Sequence, residues 1–193
     1  MVINLGRSSL PVVLALALCA GVPAAGAPQE QDVNPQARLV QEFQERVKKY
    51  MTLHKAAASE GPRLKESKDP AEITAAQDAL AARIQAARPN AKHGDIFTPA
   101  IARHFRGLMY PEVVGTAGRN TKGAIKDVQP AAIALKVNAR YPEAQPRPMV
   151  PPNLLLKLPR LPSGLEYRIV HNALILRDTD ANLIIDFIPD AIR

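Results

Sequence analysis

Residues 161–193 read LPSGLEYRIVHNALILRDTDANLIIDFIPDAIR, and no other stretch limits the fold as tightly. Apolar and polar residues alternate in three runs, Leu165–Val170, Ala173–Asp178 and Leu183–Ile188, the period of a strand with one buried face. A two-residue turn at His171-Asn172 sets Glu166 opposite Arg177, Tyr167 opposite Leu176 and Ile169 opposite Leu174. A four-residue turn at 179–182 then sets Leu176 opposite Ile185 and Leu174 opposite Phe187. Chosen independently, both turns put Leu165, Tyr167, Ile169, Leu174, Leu176, Ile185 and Phe187 on one face. A one-residue slip in either hairpin scatters that set, which argues for the register. The other face carries Glu166, Arg168, Arg177 and Asp186 among Ile175, Ile184 and Ile188, with opposite charges facing each other. The prediction is a three-stranded antiparallel meander, the only sheet of the chain.

Upstream the periodicity is helical. Asn34 and Pro35 open a first helix whose apolar stripe is Val40, Phe43, Val47, Tyr50, Met51 and His54, fading near Ala58. Asp69 as cap, Pro70 and Glu72 open a second, with Ile73, Ala76, Leu80, Ile84 and Ala87 on one face and Arg88-Pro89 as its stop. Its alanines predict close antiparallel packing on the first helix. Thr98-Pro99 opens a third, with Ile101, Phe105 and Leu108 on one face, ended by Pro111. GTAGRNTKG reads as loop, and a fourth helical stretch is expected over 121–138, interrupted at Pro130. Residues 141–162 hold seven of the chain's 18 prolines and read as an extended arm, with its leucines tacked onto apolar surface.

The first 27 residues have the form of a secretory signal: Arg7, an apolar core over 10–20, then small residues before Pro28. Cleavage is expected after Ala24, Gly26 or Ala27. The core is shorter than the roughly 20 apolar residues of a membrane span. Cys19, the one cysteine, lies inside this segment; a lipoprotein reading of residues 16–19 is weakened by Leu18, where a small residue is wanted, and the soluble exported form is expected. The exported chain thus has no disulfide, thiol nucleophile or thiolate metal site. With no Trp and 4% aromatics, it has material for a modest core.

Chemistry is sparse. The histidines are His54, His93, His104 and His171, and none has the local spacing of a zinc site. His93, Asp95 and His104 are the set nearest in sequence to a metal triad; otherwise His54 completes a helix stripe, His104 sits beside Phe105 and His171 is a turn residue. Asp178-Thr179-Asp180-Ala181-Asn182 begins like a calcium loop but has Leu183 at the sixth position and Pro189 at the twelfth, so it reads as a turn in which Asp and Asn side chains bond nearby amides. Gly115-x-x-Gly118 lacks the order of a phosphate loop. Ser59, Ser67 and Ser163 lie in no nucleophile turn. No catalytic, cofactor-binding or metal residue is assigned, and no cofactor is expected. The net charge of +7 is spread along the chain. Nucleic acid is the usual partner of such a balance, but export and the scarcity of aromatics for stacking argue against it. The expected partner is an anionic envelope component or another envelope protein, and the alternative is a solvated positive surface.

The words GDIFTP (94–99), PPNLLLKLP (151–159) and LEYRIV…LILRD…NLIIDFIPDAI (165–192) resemble a family of uncharacterised exported bacterial proteins. That resemblance implies a shared fold and export, and no activity. Residues 167–186 also resemble the C-terminal strands of small periplasmic nickel/cobalt-homeostasis proteins, without a metal-binding motif to carry over.

The expected architecture is α+β: a signal over 1–27, a helical region of two to three helices over 28–140, a proline-rich arm over 141–162, and a meander over 163–193 packed on the helices. The expected function is a non-enzymatic binding or structural accessory of the cell envelope, periplasmic or secreted. The alternative is a periplasmic metal-responsive binding protein.

Overall fold

The computed structural model describes residues 34–61, 69–126, 134–142 and 150–193, and the expected signal over 1–27 lies outside them. The fold is α+β: α1 (Pro35–Ser59), α2 (Pro70–Ala87), α3 (Pro99–Val113), α4 (Gly115–Lys126), α5 (Pro152–Leu155), then β1 (Leu165–Val170), β2 (Ala173–Asp178) and β3 (Leu183–Ile188) in one antiparallel sheet of order β1-β2-β3.

The three long helices start where side chains replace missing backbone acceptors. Asn34 accepts from Gln36 N and Asp69 from Ala71 N, both at 2.9 Å, and Thr98 from Ile101 N at 3.4 Å, each followed by a proline whose absent N–H costs nothing in a first turn. In α1, Phe43, Val47, Tyr50, His54 and Ala57 are buried at alternating spacings of four and three, a single stripe. Only the second half of α2 packs: Leu80, Ala81 and Ile84 are buried, whereas Ile73 is 44% exposed. Arg83 donates to Ala57 O and the Arg88 guanidinium lies over the Tyr50 ring, so α1 and α2 run antiparallel.

Three of the helices depart from the sequence expectation. Pro111 does not end α3, which continues to Val113. Val113 and Met109 are buried, and their packing holds the last turn despite the bond the proline removes. GTAGRNTKG is helix, not loop, because Gly118, Thr121 and Ile125 bury one side of α4. Gly118 is the necessary contact: a Cβ there would stand 2.3 Å from the backbone of Val113, so only glycine lets α4 fold back over the end of α3. Of the stretch expected as helix over 121–138, residues 121–126 belong to α4, 127–133 lie outside the described residues, and 134–138 are not helical. In the proline arm, 152–155 form the one-turn α5, which Pro152 suits as its first residue. Leu154 and Leu158 bury in the core, Leu155 and Leu156 stay exposed, and Tyr167 Oη donates to Pro159 O.

The first hairpin has the expected register, with Glu166 opposite Arg177, Tyr167 opposite Leu176 and Ile169 opposite Leu174. The second does not keep its register throughout. Asp178 pairs with Leu183 and Arg177 with Ile184, but Leu176 pairs with Asp186, Ile175 with Phe187 and Leu174 with Ile188. One extra residue has entered β3 at Ile185, a β-bulge. Leu183, Ile185 and Ile188 therefore join Leu165, Tyr167, Ile169, Leu174 and Leu176 in the main core, and Phe187, expected there, turns to the opposite face.

That opposite face is covered as well. Tyr141, Val170, Ile175 and Ile184 form a second apolar cluster, with Leu135 and Phe187 packed against it. Residues 138–141 run along the outer edge of β3: Asn138 N donates to Ile184 O, Ile184 N to Ala139 O, and Tyr141 N to Asn182 O. Arg177 lies over the Tyr141 ring and donates to Glu166 and twice to the Asn182 carboxamide, which itself donates to Tyr141 O. The pairing of opposite charges on this face is thus part of a buried network.

The main core is aromatic at its centre. Phe43 of α1 stacks on Phe97 at 5.6 Å and meets Phe105 of α3 at 4.9 Å and Tyr167 of β1 at 6.5 Å. Three of the four phenylalanines in the chain meet there, where helices and sheet join.

Candidate functional site

Two groups of polar side chains meet on the C-terminal half of α1, and Tyr50 belongs to both. On one side its ring lies under the Arg88 guanidinium, with 5.2 Å from Cζ to the ring centre. On the other its hydroxyl donates to Asp178 Oδ2 at 2.5 Å, across 128 positions of sequence.

The first group lines a cleft of about 470 Å³ between α1, the end of α2 and the loop that follows, with Arg46, Lys49, Arg88 and Asp95 as its charged residues. A cleft of this size suits a small ligand. Asp95 turns its carboxylate back to accept from Lys92 N, and Arg46 donates to Asp95 O and pairs with Glu42. Arg88 Nη1 is buried and finds no hydrogen-bond acceptor among the described residues. Burial pushes the Arg88 guanidinium below its ordinary pKa, and Tyr50, Asp95 and Asp186 oppose that shift. The C-terminal position of Arg88 on α2 was legible as a helix stop; its role as the inner wall of a cleft was not.

The second group is His54, Asp178 and Asp180, joined to Tyr50. Asp178 ends β2 and is fully buried, with Oδ1 accepting from the amides of Asp180 and Ala181 at 2.9 and 2.8 Å. These are the side-chain-to-amide bonds expected of the Asp-Thr-Asp turn. His54 Nδ1 lies 2.9 Å from Asp178 Oδ2 and His54 Nε2 lies 3.7 Å from Asp180 Oδ2. The Nδ1 contact with Asp178 is an ion pair that is out of line for a hydrogen bond. The Asp178 carboxylate beside it raises the His54 pKa, against the effect of burial. Burial pushes the Asp178 carboxyl up, but contacts from His54, Tyr50 and the Ala181 amide outweigh it, and the net shift is downward. Tyr50 is driven far above the ordinary phenol range, by burial first and then by Asp178.

The three residues nearest in sequence to a metal triad go elsewhere. The His93 ring stacks on Phe187 at 4.5 Å, with Nε2 3.0 Å from Phe187 O. His104 packs edge-on against Phe105, and Asp95 is engaged as described. Among the described residues, His54, Asp178 and Asp180 alone bring three such ligand atoms within 4.8 Å of one another. Sequence reasoning placed His54 in an apolar stripe and Asp178 at the end of a strand where a turn begins, both correctly, and missed that they meet. The available signal was a histidine in a buried stripe, since a buried polar ring needs a partner from elsewhere in the fold. Ser59 donates to Ala56 O, Ser163 lies in an exposed turn, and Ser67 falls outside the described residues.

No protein-family model, curated protein or solved structure matches this chain.

Proposed function

We propose that the chain is exported and acts as a non-enzymatic binding protein of the cell envelope, with a carboxylate or phosphate group of its ligand held in the basic cleft of Arg46, Lys49 and Arg88. The observation that carries this reading is Arg88 Nη1, a buried cationic donor without an acceptor among the described residues. Such a donor is costly; Nη1 is closed off from the cleft, so a rotation of the guanidinium turns it to an entering anion, and the charge-assisted bond offsets that cost. Lys49 is exposed at the same cleft and adds a second positive charge. The anionic polymers and headgroups of an envelope supply ligands of this chemistry.

Calorimetry at low ionic strength with inorganic phosphate, with citrate and with phosphatidylglycerol vesicles tests the binding half. At least one of them should bind, and Arg88→Gln should weaken it about 10- to 100-fold, the worth of one hydrogen bond to a charged group. Arg103→Gln, which changes an exposed cation of α3 outside the cleft, should alter it less than about twofold. Binding by none of the three, or equal losses in both variants, overturns the assignment to the cleft. The export half is read from the intact mass of native protein, which should show a start between Ala25 and Pro28. A full-length mass overturns it.

A further inference from the structure

We propose that His54, Asp178 and Asp180 form a site for a first-row divalent transition-metal ion, separate from the anion cleft and independent of the reading given for it. One imidazole nitrogen and two carboxylate oxygens already lie within 4.8 Å of one another. Ligand atoms on one such ion are about 3 Å apart, since each bond is about 2.0–2.2 Å long. His54 Nδ1 and Asp178 Oδ2 have that separation, 2.9 Å, in an ion-pair contact that is out of line for a hydrogen bond. With His54 neutral, the two atoms can share a metal ion, which takes the place of the proton that the pair otherwise holds.

Two further features fit a built site. His54 is 95% buried, so its Nδ1, poorly aligned with Asp178, has no ready recourse to water. The supporting bonds are also in place: Tyr50 Oη donates to the oxygen of Asp178 that would ligate, and two turn amides hold the other oxygen. Hydrogen bonds to ligating carboxylates fix their orientation. Gly164 leaves the space that Asp180 needs. A Cβ on Gly164 would stand 3.0 Å from Asp180 Oδ2 and 3.9 Å from His54 Cε1, and its φ of +89° is one that few other residues adopt. Asp180 Oδ2 lies 3.7 Å from the other ring nitrogen, Nε2, and its side chain is 46% exposed, so it can swing to the Nδ1 side to close the set, with water in the remaining coordination positions. A nitrogen with two carboxylates and no sulfur suits zinc, nickel, cobalt or manganese; calcium wants six to eight oxygens.

The test uses the full chain after treatment with a chelator, titrated separately with Zn²⁺, Ni²⁺, Co²⁺, Mn²⁺ and Ca²⁺. One ion per chain should bind, with a transition metal preferred over calcium. A hundredfold excess over Kd should raise the melting temperature by about 5–10 °C. Because Asp180 is half-exposed, Asp180→Asn should leave the metal-free melting temperature within about 2 °C while weakening metal binding at least tenfold. His104→Ala should leave binding unchanged. If Co²⁺ is bound, its visible absorption should report a nitrogen–oxygen site and disappear in Asp180→Asn. The proposal is overturned if no transition metal binds below about 1 mM, or if Asp180→Asn binds it as tightly as the parent protein.

Discussion

Asp186→Ala should lower stability by about 3–6 kcal/mol, a large share of the 5–15 kcal/mol that holds a typical domain together. Asp186 is fully buried in β3, next to the bulge. Its Oδ2 accepts from the amides of Ile96 and Phe97, both at 2.8 Å, and its Oδ1 from Gly94 N at 3.1 Å and its own neighbour Phe187 N at 2.9 Å. Alanine removes all four acceptor contacts and leaves the amides of Ile96 and Phe97 buried. Each buried donor left unpaired costs about 1–3 kcal/mol, and water has little access here. In a protein of this length the loss corresponds to a fall of roughly 10–20 °C in melting temperature. Asp186→Asn should be intermediate, since one carboxamide arm must present N–H groups to N–H donors. The loop also sets Thr98, the cap of α3, so exchange of the amides of residues 94–97 should accelerate in both variants. If the alanine variant melts within about 2 °C of the parent, the loop has other acceptors and Asp186 is not its organiser.

This bond set explains the word GDIFTP in physical terms. Gly94 adopts a φ of +89°, which starts the turn that aims its own amide and those of Ile96 and Phe97 at one carboxylate. Ile96 and Phe97 then fill the core, and Thr98-Pro99 begins a helix. The helix start was legible because caps act over two or three residues. The carboxylate was not, because it comes from about 90 positions downstream and was assigned to the other face of the sheet.

The same distinction between local and distant causes separates what the sequence disclosed from what it hid. The three strands, the first hairpin's register and the caps of α1, α2 and α3 depend on periodicity and on neighbours. The α4 helix was hidden because its glycines and polar residues weigh against helix locally. Packing against Val113 decided it. The second apolar cluster was hidden because Tyr141 arrives from the proline-rich region to cover Ile175 and Ile184. The candidate sites belong to this second kind. His54 and Asp178 are 124 positions apart, and a histidine in a stripe gives no hint of which acid it will meet.

The bulge at Ile185 makes the other large prediction, because it exchanges two neighbouring side chains between environments. With an unbroken register Phe187 would belong to the main core and Ile188 to the opposite face. With the bulge, Ile188 is fully buried beside Ile185, and Phe187 is half-buried against the His93 ring. Ile188→Asp should therefore cost several kcal/mol, enough to unfold the protein or expose it to proteolysis, since an unpaired carboxylate in an apolar core is among the most damaging single changes. Phe187→Asp loses one ring stack, worth about 0.5–1.5 kcal/mol, and part of its apolar burial, and it places the new carboxylate beside an exposed imidazole. Substitutions at 184 and 185 do not separate the two registers, because Ile184 and Ile185 are both fully buried, each in its own cluster. Urea titration of the two aspartate variants gives the comparison directly. A midpoint for Ile188→Asp far below that for Phe187→Asp supports the bulge, whereas the reverse order would restore the unbroken register and detach Asp186 from the 94–97 loop.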